Sequence, residues 1–314
     1  LFVFYVANLF GARLAMWVQA VLVVIMFGAL LLFVGRGLPA VDPTNLRPLF
    51  PLGAAGFLMA SAVLTFTVLG ANAAVELGDE IVEPQRNIPL SFAVSIPVVT
   101  LIYVLIGLVV AGVGPWQNRA AAGSSLAGVA ASFLHGPARL YFLLGGGLLA
   151  VVTTLNATYL WGTKSLLLIA EDGLIPSSVT RVNRRFGTPH WLLTIIFAAS
   201  AASLLLIGER VETFAVLASL GGIVIFIPVM AAALRLRRKH PEMYARARFS
   251  LAGPLHYAAP VVGLLFCLLV IGILLVDLSS HREGWLFLAV FLLGGVVGAL
   301  YARLRLQFMS RTSG

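Results

Sequence analysis

The sequence predicts an all-α integral membrane protein of about eight transmembrane helices. Three observations carry that prediction. Only 11% of the residues are charged while 60% are hydrophobic, and the mean hydropathy is +1.01. A water-facing domain carries roughly 25% charged residues, so lipid is the solvent for most of this chain. The few charges also divide the sequence into uncharged runs, each near the ~20 residues that a helix needs to cross ~30 Å of hydrocarbon. These runs lie between Arg13 and Arg36, Arg47 and Glu76, Arg86 and Arg119, Arg139 and Lys164, Arg185 and Glu209, Glu212 and Arg235, Arg248 and Asp277, and Glu283 and Arg303. Backbone polar groups must be paired inside lipid, and runs this long and this continuously apolar are helices rather than barrel strands.

Taken in order, the first span covers residues 13–34 and is followed by a Pro- and Gly-rich outer loop, 35–48. The second covers 49–75 and passes into a turn carrying Asp79, Glu80, Glu83 and Arg86. The third runs over 88–113, with Pro97 as a kink position. The small-residue segment 114–137 is too long for a structureless loop and predicts short surface helices. The fourth span, 138–170, exceeds what a bilayer requires and is stopped by Gly173 and Pro176. Spans five and six, 191–207 and 212–234, join through a tight turn, and spans seven and eight cover 256–276 and 284–304.

If the spans alternate, 15 of the 21 Lys and Arg residues fall on one side and 6 on the other. Lys and Arg are retained on the cytoplasmic side, which puts both ends of the chain there. The same bias accounts for the net charge of +9 without nucleic acid, because the basic residues flank spans rather than stripe one face. The stretch Arg235-Leu236-Arg237-Arg238-Lys239-His240 reads as a topology anchor or as a contact to anionic lipid head groups. The single Cys267 excludes a disulfide framework and reads as a packing residue. The five His are scattered, with no zinc spacing, so no metal site is expected. The chain begins at Leu1 with an apolar tail and lacks the basic region and cleavage site of a signal peptide, so it reads as a fragment with its N-terminal part missing.

Chemistry concentrates in two places. Gly70-Ala71-Asn72 sits deep in the second span, where Gly weakens a helix by about 1 kcal/mol relative to Ala and a buried Asn amide needs partners. Together they suit a local unwinding that frees backbone groups to hold a zwitterion, or a small-residue packing face between helices. Glu76, one turn on, is a lining carboxylate or an interfacial residue. Asp79, Glu80, Arg86 and Lys164 are candidates for ion pairs at a cytoplasmic gate; exposed pairs of this kind are worth ~0–1 kcal/mol, which suits a gate that opens. On the fourth span, Thr153, Thr154 and Asn156 offer side-chain oxygens for a Na⁺, although the Thr hydroxyls equally suit bonds back to their own helix.

Residues 66–89 resemble the sixth transmembrane helix and following loop of amino acid permeases of the amino acid–polyamine–organocation (APC) superfamily. Gly70, Asn72, Asp79-Glu80, Pro84, Arg86 and Ile88-Pro89 stand at the family's spacing. Residues 156–189 look like its eighth helix and cytoplasmic loop, through Lys164, Ala170-Glu171-Asp172-Gly173, Pro176 and Gly187-Thr188-Pro189. Asn8 to Arg13, with Gln19, are similar to the start of the fifth helix. The resemblance covers essentially the whole chain. It implies a LeuT-like inverted-repeat transporter fold, with the eight spans as helices five to twelve. Residues 1–48 are then the end of the first repeat, 49–235 the second inverted repeat (helices six to ten), and 236–314 the peripheral helices eleven and twelve.

The resemblance implies secondary active transport of amino acids or related amines by alternating access in the cytoplasmic membrane. Gly70, Ala71, Asn72, Ala73 and Glu76 would bind substrate, and Thr153, Thr154 and Asn156 would serve ion coupling. No cofactor or catalytic residue is implied beyond a Na⁺ or H⁺ as coupling ion, and the partners are the substrate and the bilayer, with a homo-oligomer compatible. The chain departs from the pattern at four points. Ala71 replaces an aromatic residue, and neutral Asn72 argues against a purely cationic substrate. Met26 stands where some proton-coupled members carry Lys, and Glu171 stands where the family has Arg. The rival readings are a polytopic membrane enzyme, which would need facing His, Asp or Glu at membrane depth, and a non-transporting membrane subunit.

Overall fold

The computed structural model describes residues 2–9, 12–68, 70–78, 81–115, 117, 125–176, 178–183, 187–207, 211–247, 249–251, 253–280 and 282–312. Among these residues there are helices and turns and no strand. The chain divides into two compact units, one of residues 1–51 and 92–203 and the other of residues 52–91 and 204–314.

The first unit begins with α1 (Phe2–Leu9) and α2 (Ala12–Gly37). Two short 3₁₀ turns follow, and in the second the Asp42 carboxylate accepts from the Thr44 hydroxyl at 2.7 Å and the Thr44 N–H at 2.9 Å. Those bonds favour the ionised form and hold the Asp42 carboxyl below its ordinary range. The unit takes in α5 (Pro84–Gly112) from Phe92 onward and α6 (Leu126–Ala131), a short helix within the expected surface segment. Next comes α7 (Gly136–Glu171), which is α-helical at both ends and π-helical over Phe142–Leu148. Its end is a Schellman turn: Leu174 N–H reaches the Ile169 carbonyl, Gly173 N–H reaches that of Ala170, and Gly173 takes a φ of +77°. The unit closes with most of α8 (His190–Ile207). Its core gathers Phe33, Val34, Val109, Val129, Leu134 and Phe142, with the Phe33 and Phe142 rings stacked at 4.8 Å.

The second unit holds α3 (Gly53–Leu64), the single turn α4 (Ala73–Glu76) and the first turns of α5. It continues with α9 (Val211–Lys239), α10 (Pro241–Arg246), α11 (Leu255–Ser280) and α12 (Arg282–Thr312). Ala62 of α3 packs with Val216, Leu220 and Ile223 of α9 and with Cys267, Val270 and Leu274 of α11. Cys267 is thus an apolar packing residue inside this core.

Among the described residues, six helices are long and apolar enough to cross a membrane: 17–40, 84–112, 136–171, 214–239, 255–279 and 288–308. The other two of the eight expected spans are shorter apolar helices, Gly53–Thr67 and His190–Leu205. The first is short because its α-helix gives way to a 3₁₀ turn over Thr65–Val68, just before the Gly70-Ala71-Asn72 that the sequence marked for unwinding. Large apolar side chains lie exposed along the spans, Leu205 at 87% and Leu293 at 64%, as they do when hydrocarbon is the solvent. The chain is therefore a multi-pass, all-α integral membrane protein.

Candidate functional site

In the second unit, the helix that begins as α3 does not reach Glu76 unbroken. It tightens into a 3₁₀ turn over Thr65–Val68, and Gly70 then adopts a φ of +101°. L side chains rarely take that conformation, so a Gly is needed here for its backbone freedom rather than for space: a methyl group at Gly70 would meet nothing within 4 Å. One turn of α-helix restarts at Ala73, led by the Ala73 N–H bond to the Gly70 carbonyl at 3.0 Å. Asn72 spans the break. Its Oδ1 accepts from the Gly70 N–H at 3.3 Å, and its Nδ2 donates to Glu76 Oε1 at 2.9 Å. Gly70 and Ala71 are exposed, while Asn72, Ala73 and Glu76 are half-buried. The five residues named from the sequence thus form one local feature, a helix break clamped by an amide and a carboxylate.

The gate candidates are only partly visible. Asp79 and Glu80 lie outside the described residues. Arg86 stands 3.7 Å from Glu83, an exposed pair within one turn at the start of α5. Glu83 itself has a positive φ of 47° and lends its carbonyl to the Arg86 and Asn87 N–H groups, turning the chain into α5. Lys164 is half-buried on α7 in the other unit, eight residues and about 12 Å of helix rise beyond Asn156.

The first unit holds a different polar cluster. Asn8 Nδ2 donates to Asn156 Oδ1 at 2.9 Å, Asn156 Nδ2 donates to Gln19 Oε1 at 3.0 Å, and Gln19 Nε2 donates to the Thr153 carbonyl at 3.1 Å. Three amides in series thereby tie α1 and α2 to α7, and Asn8 and Asn156 are buried. Both Thr hydroxyls bond back to their own helix: Thr153 Oγ1 and Thr154 Oγ1 donate to the Ala150 carbonyl at 3.1 and 2.9 Å. Thr153 also approaches the Met26 sulfur at 3.8 Å, so the position of the Lys-to-Met departure faces the candidate ion residues. Close helix approach sets this register. A Cβ at Gly145 would stand 2.8 Å from the Ala29 Cβ, and the Tyr141 hydroxyl donates to the Ile25 carbonyl at 3.0 Å.

Several residues of this cluster carried little signal of their own. Asn8 and Gln19 entered only as parts of a motif, although an amide within an apolar run is itself a sign of a polar contact. Tyr5 stacks on Phe197 at 4.9 Å and hydrogen-bonds Thr194 at 2.8 Å. Thr194 gives its own proton to the His190 carbonyl, so the Tyr5 phenol is the donor. Thr188, in the Gly-Thr-Pro stretch, is buried and donates to the Leu9 carbonyl at 3.1 Å, which anchors that loop on the end of α1. Among the described residues, no group of three or more His, Cys, Asp or Glu is placed to hold a metal.

The whole arrangement has relatives. The Methylthioribose transporter of Bacillus subtilis is 28% identical over 251 residues, covering 79% of this chain and 52% of that protein. The Branched-chain amino acid permease BcaP of the same organism is 27% identical over 300 residues, covering 93% of this chain and 60% of that protein. The Cationic amino acid transporter 3 of Arabidopsis thaliana is 28% identical over 190 residues, 60% of this chain and 30% of that protein. The chain thus spans half to three-fifths of the length of the two bacterial relatives. Each of these relatives is named as a transporter or permease. The family model for amino acid permeases matches residues 1–297, and the chain belongs to that family, within the APC superfamily.

Proposed function

We propose that the protein is a secondary active permease for amino acids or related amines, working by alternating access in the cytoplasmic membrane with both ends of this chain on the cytoplasmic side. The single observation that carries this reading is the break at Gly70, where a helix interrupted inside an apolar run leaves backbone dipoles to face a charged solute. Substrate would meet the backbone of Gly70–Ala73 and the Asn72 amide, with Glu76 orienting Asn72. In the inverted-repeat arrangement that the family resemblance implies, residues 49–235 form the second repeat. Thr153 and Thr154 would offer lone pairs to a coupling Na⁺, since both protons are committed to Ala150. Asp79, Glu80, Arg86 and Lys164 would close the cytoplasmic side.

A second substrate class is favoured by one residue. Asn72 carries no charge, and a relative named for methylthioribose transport shows 28% identity to this chain. A neutral hydroxylated solute would bond the Asn72 amide without a counter-charge. Uptake of labelled leucine, lysine and methylthioribose in cells expressing the protein separates the two classes. Asn72→Leu removes both the acceptor for Gly70 N–H and the donor to Glu76, and the expected result is loss of uptake with membrane insertion retained. Unchanged uptake kinetics in that variant would refute the assignment.

A further inference from the structure

We propose that the segment joining α9 to α11 holds the headgroup of an anionic phospholipid against the first turns of α5. The last turns of α9 carry Arg235, Arg237, Arg238 and Lys239, and Arg246 ends α10; all five are exposed. Arg235, Arg238 and Lys239 share one helical face at i, i+3 and i+4. Arg248 follows in the sequence, and Glu242 is the one carboxylate between residues 235 and 248. None of the five cations makes an ion pair among the described residues, whereas Arg86 on α5 is already matched by Glu83.

Beside this charge lies a cavity of about 550 Å³. Pro84, Ile88 and Pro89 of α5 form one wall, and Met243, Arg246 and Phe249 form the other. Both walls belong to the same compact unit. Met243 and Phe249 are exposed at 65% and 63%, so the cavity offers apolar surface with a guanidinium in its lining. A free phosphate would leave that apolar surface wet and find, among the described residues of the wall, one cation. An amphiphile satisfies both parts: its phosphate on Arg246, within the field of the α9 cluster, and its glycerol and first methylenes on Ile88, Met243 and Phe249. The depth is also right, because α9 ends a candidate span at Lys239 and the next begins at Leu255, so the segment between them lies where head groups lie. The wall is held in place. Arg237 sits over the Tyr244 ring at 5.8 Å, His256 packs edge-on to that ring at 5.0 Å, and the Tyr244 hydroxyl donates to the Leu251 carbonyl at 2.7 Å.

The test is lipid binding by the full chain purified in detergent, read by native mass spectrometry and by thermal unfolding. The additions are phosphatidylglycerol, phosphatidylcholine or inorganic phosphate. Phosphatidylglycerol is expected to be retained and to raise the unfolding temperature, with the other two having no effect. Arg246→Gln should weaken phosphatidylglycerol retention about fivefold, while Arg36→Gln, an exposed Arg at the end of α2, should leave it unchanged. If Arg246→Gln fails to fold, Arg238→Gln with Lys239→Gln serves, with a loss at least as large. Equal retention of phosphatidylcholine, an equal thermal shift with inorganic phosphate, or equal weakening by Arg36→Gln overturns the proposal. None of these readouts depends on uptake, so failure here leaves the transport reading standing, and the reverse also holds.

Discussion

The two polar features of the molecule are built in opposite ways. The break at Gly70 is closed by bonds between residues two and four apart, Gly70 to Asn72 and Asn72 to Glu76. The amide chain of the first unit joins residues 134 to 148 positions apart. One is a left-handed glycine break stabilised locally, while the other is ordinary helix backbone with its side chains committed at long range. The first can change shape at the cost of a few local bonds. The second cannot move α1 or α2 against α7 without unpairing buried amides, each costing about 1–3 kcal/mol. On the proposed alternating-access reading, the first region is the yielding part and the second the fixed one.

Three substitutions test that contrast, from the largest effect to the smallest. Asn156→Leu takes one partner from Asn8 and another from Gln19, and should destabilise the first unit by about 2–4 kcal/mol. A fall in unfolding temperature too small for that range would mean the amide chain is not what fixes these helices. Gly70→Ala adds a methyl that clashes with nothing, so it isolates the backbone term. We expect a stability loss of about 1–2 kcal/mol and a larger relative loss of uptake; wild-type stability would show that the break adjusts to accept an L side chain without cost. Thr154→Val removes an exposed hydroxyl from a carbonyl that Thr153 also serves. Stability should change by less than about 0.5 kcal/mol, while any Na⁺ dependence of uptake should weaken. Uptake with unaltered Na⁺ dependence would remove Thr154 from the ion site.

The same contrast explains what was legible in the sequence. The membrane class and the helical fold needed only composition and charge-free runs, while Gly70-Ala71-Asn72 pointed either to a break or to a packing face, and the structure shows the break. The second span came out shorter than the spacing of charges suggested, because charge marks where a helix leaves the membrane and says nothing of a break within it. The Asn8–Asn156–Gln19 chain needed the fold itself, since nothing in residues 8–19 states that residue 156 lies beside them. Thr188 was quoted as part of a turn motif, and only the folded chain showed its hydroxyl on the Leu9 carbonyl. The basic segment after α9 was legible as charge, but the cavity against α5 was not.

The π-helical stretch Phe142–Leu148 sets the rotational phase of everything after it on α7. Such a bulge accommodates one residue more than a regular α-helix would over the same rise, and one residue is worth about 100° of rotation. Thr153 and Asn156 therefore face α1 and α2 because of a winding defect that precedes them, not only because of their own position in the sequence. Deleting one residue from Gly145-Gly146-Gly147 would let the helix rewind as regular α-helix with Asn156 still facing Asn8, whereas adding one would turn the Asn156 amide about a quarter of a revolution away. The three glycines lie within the step that indexes the polar cluster, and an added residue that the bulge does not absorb would throw the cluster out of alignment.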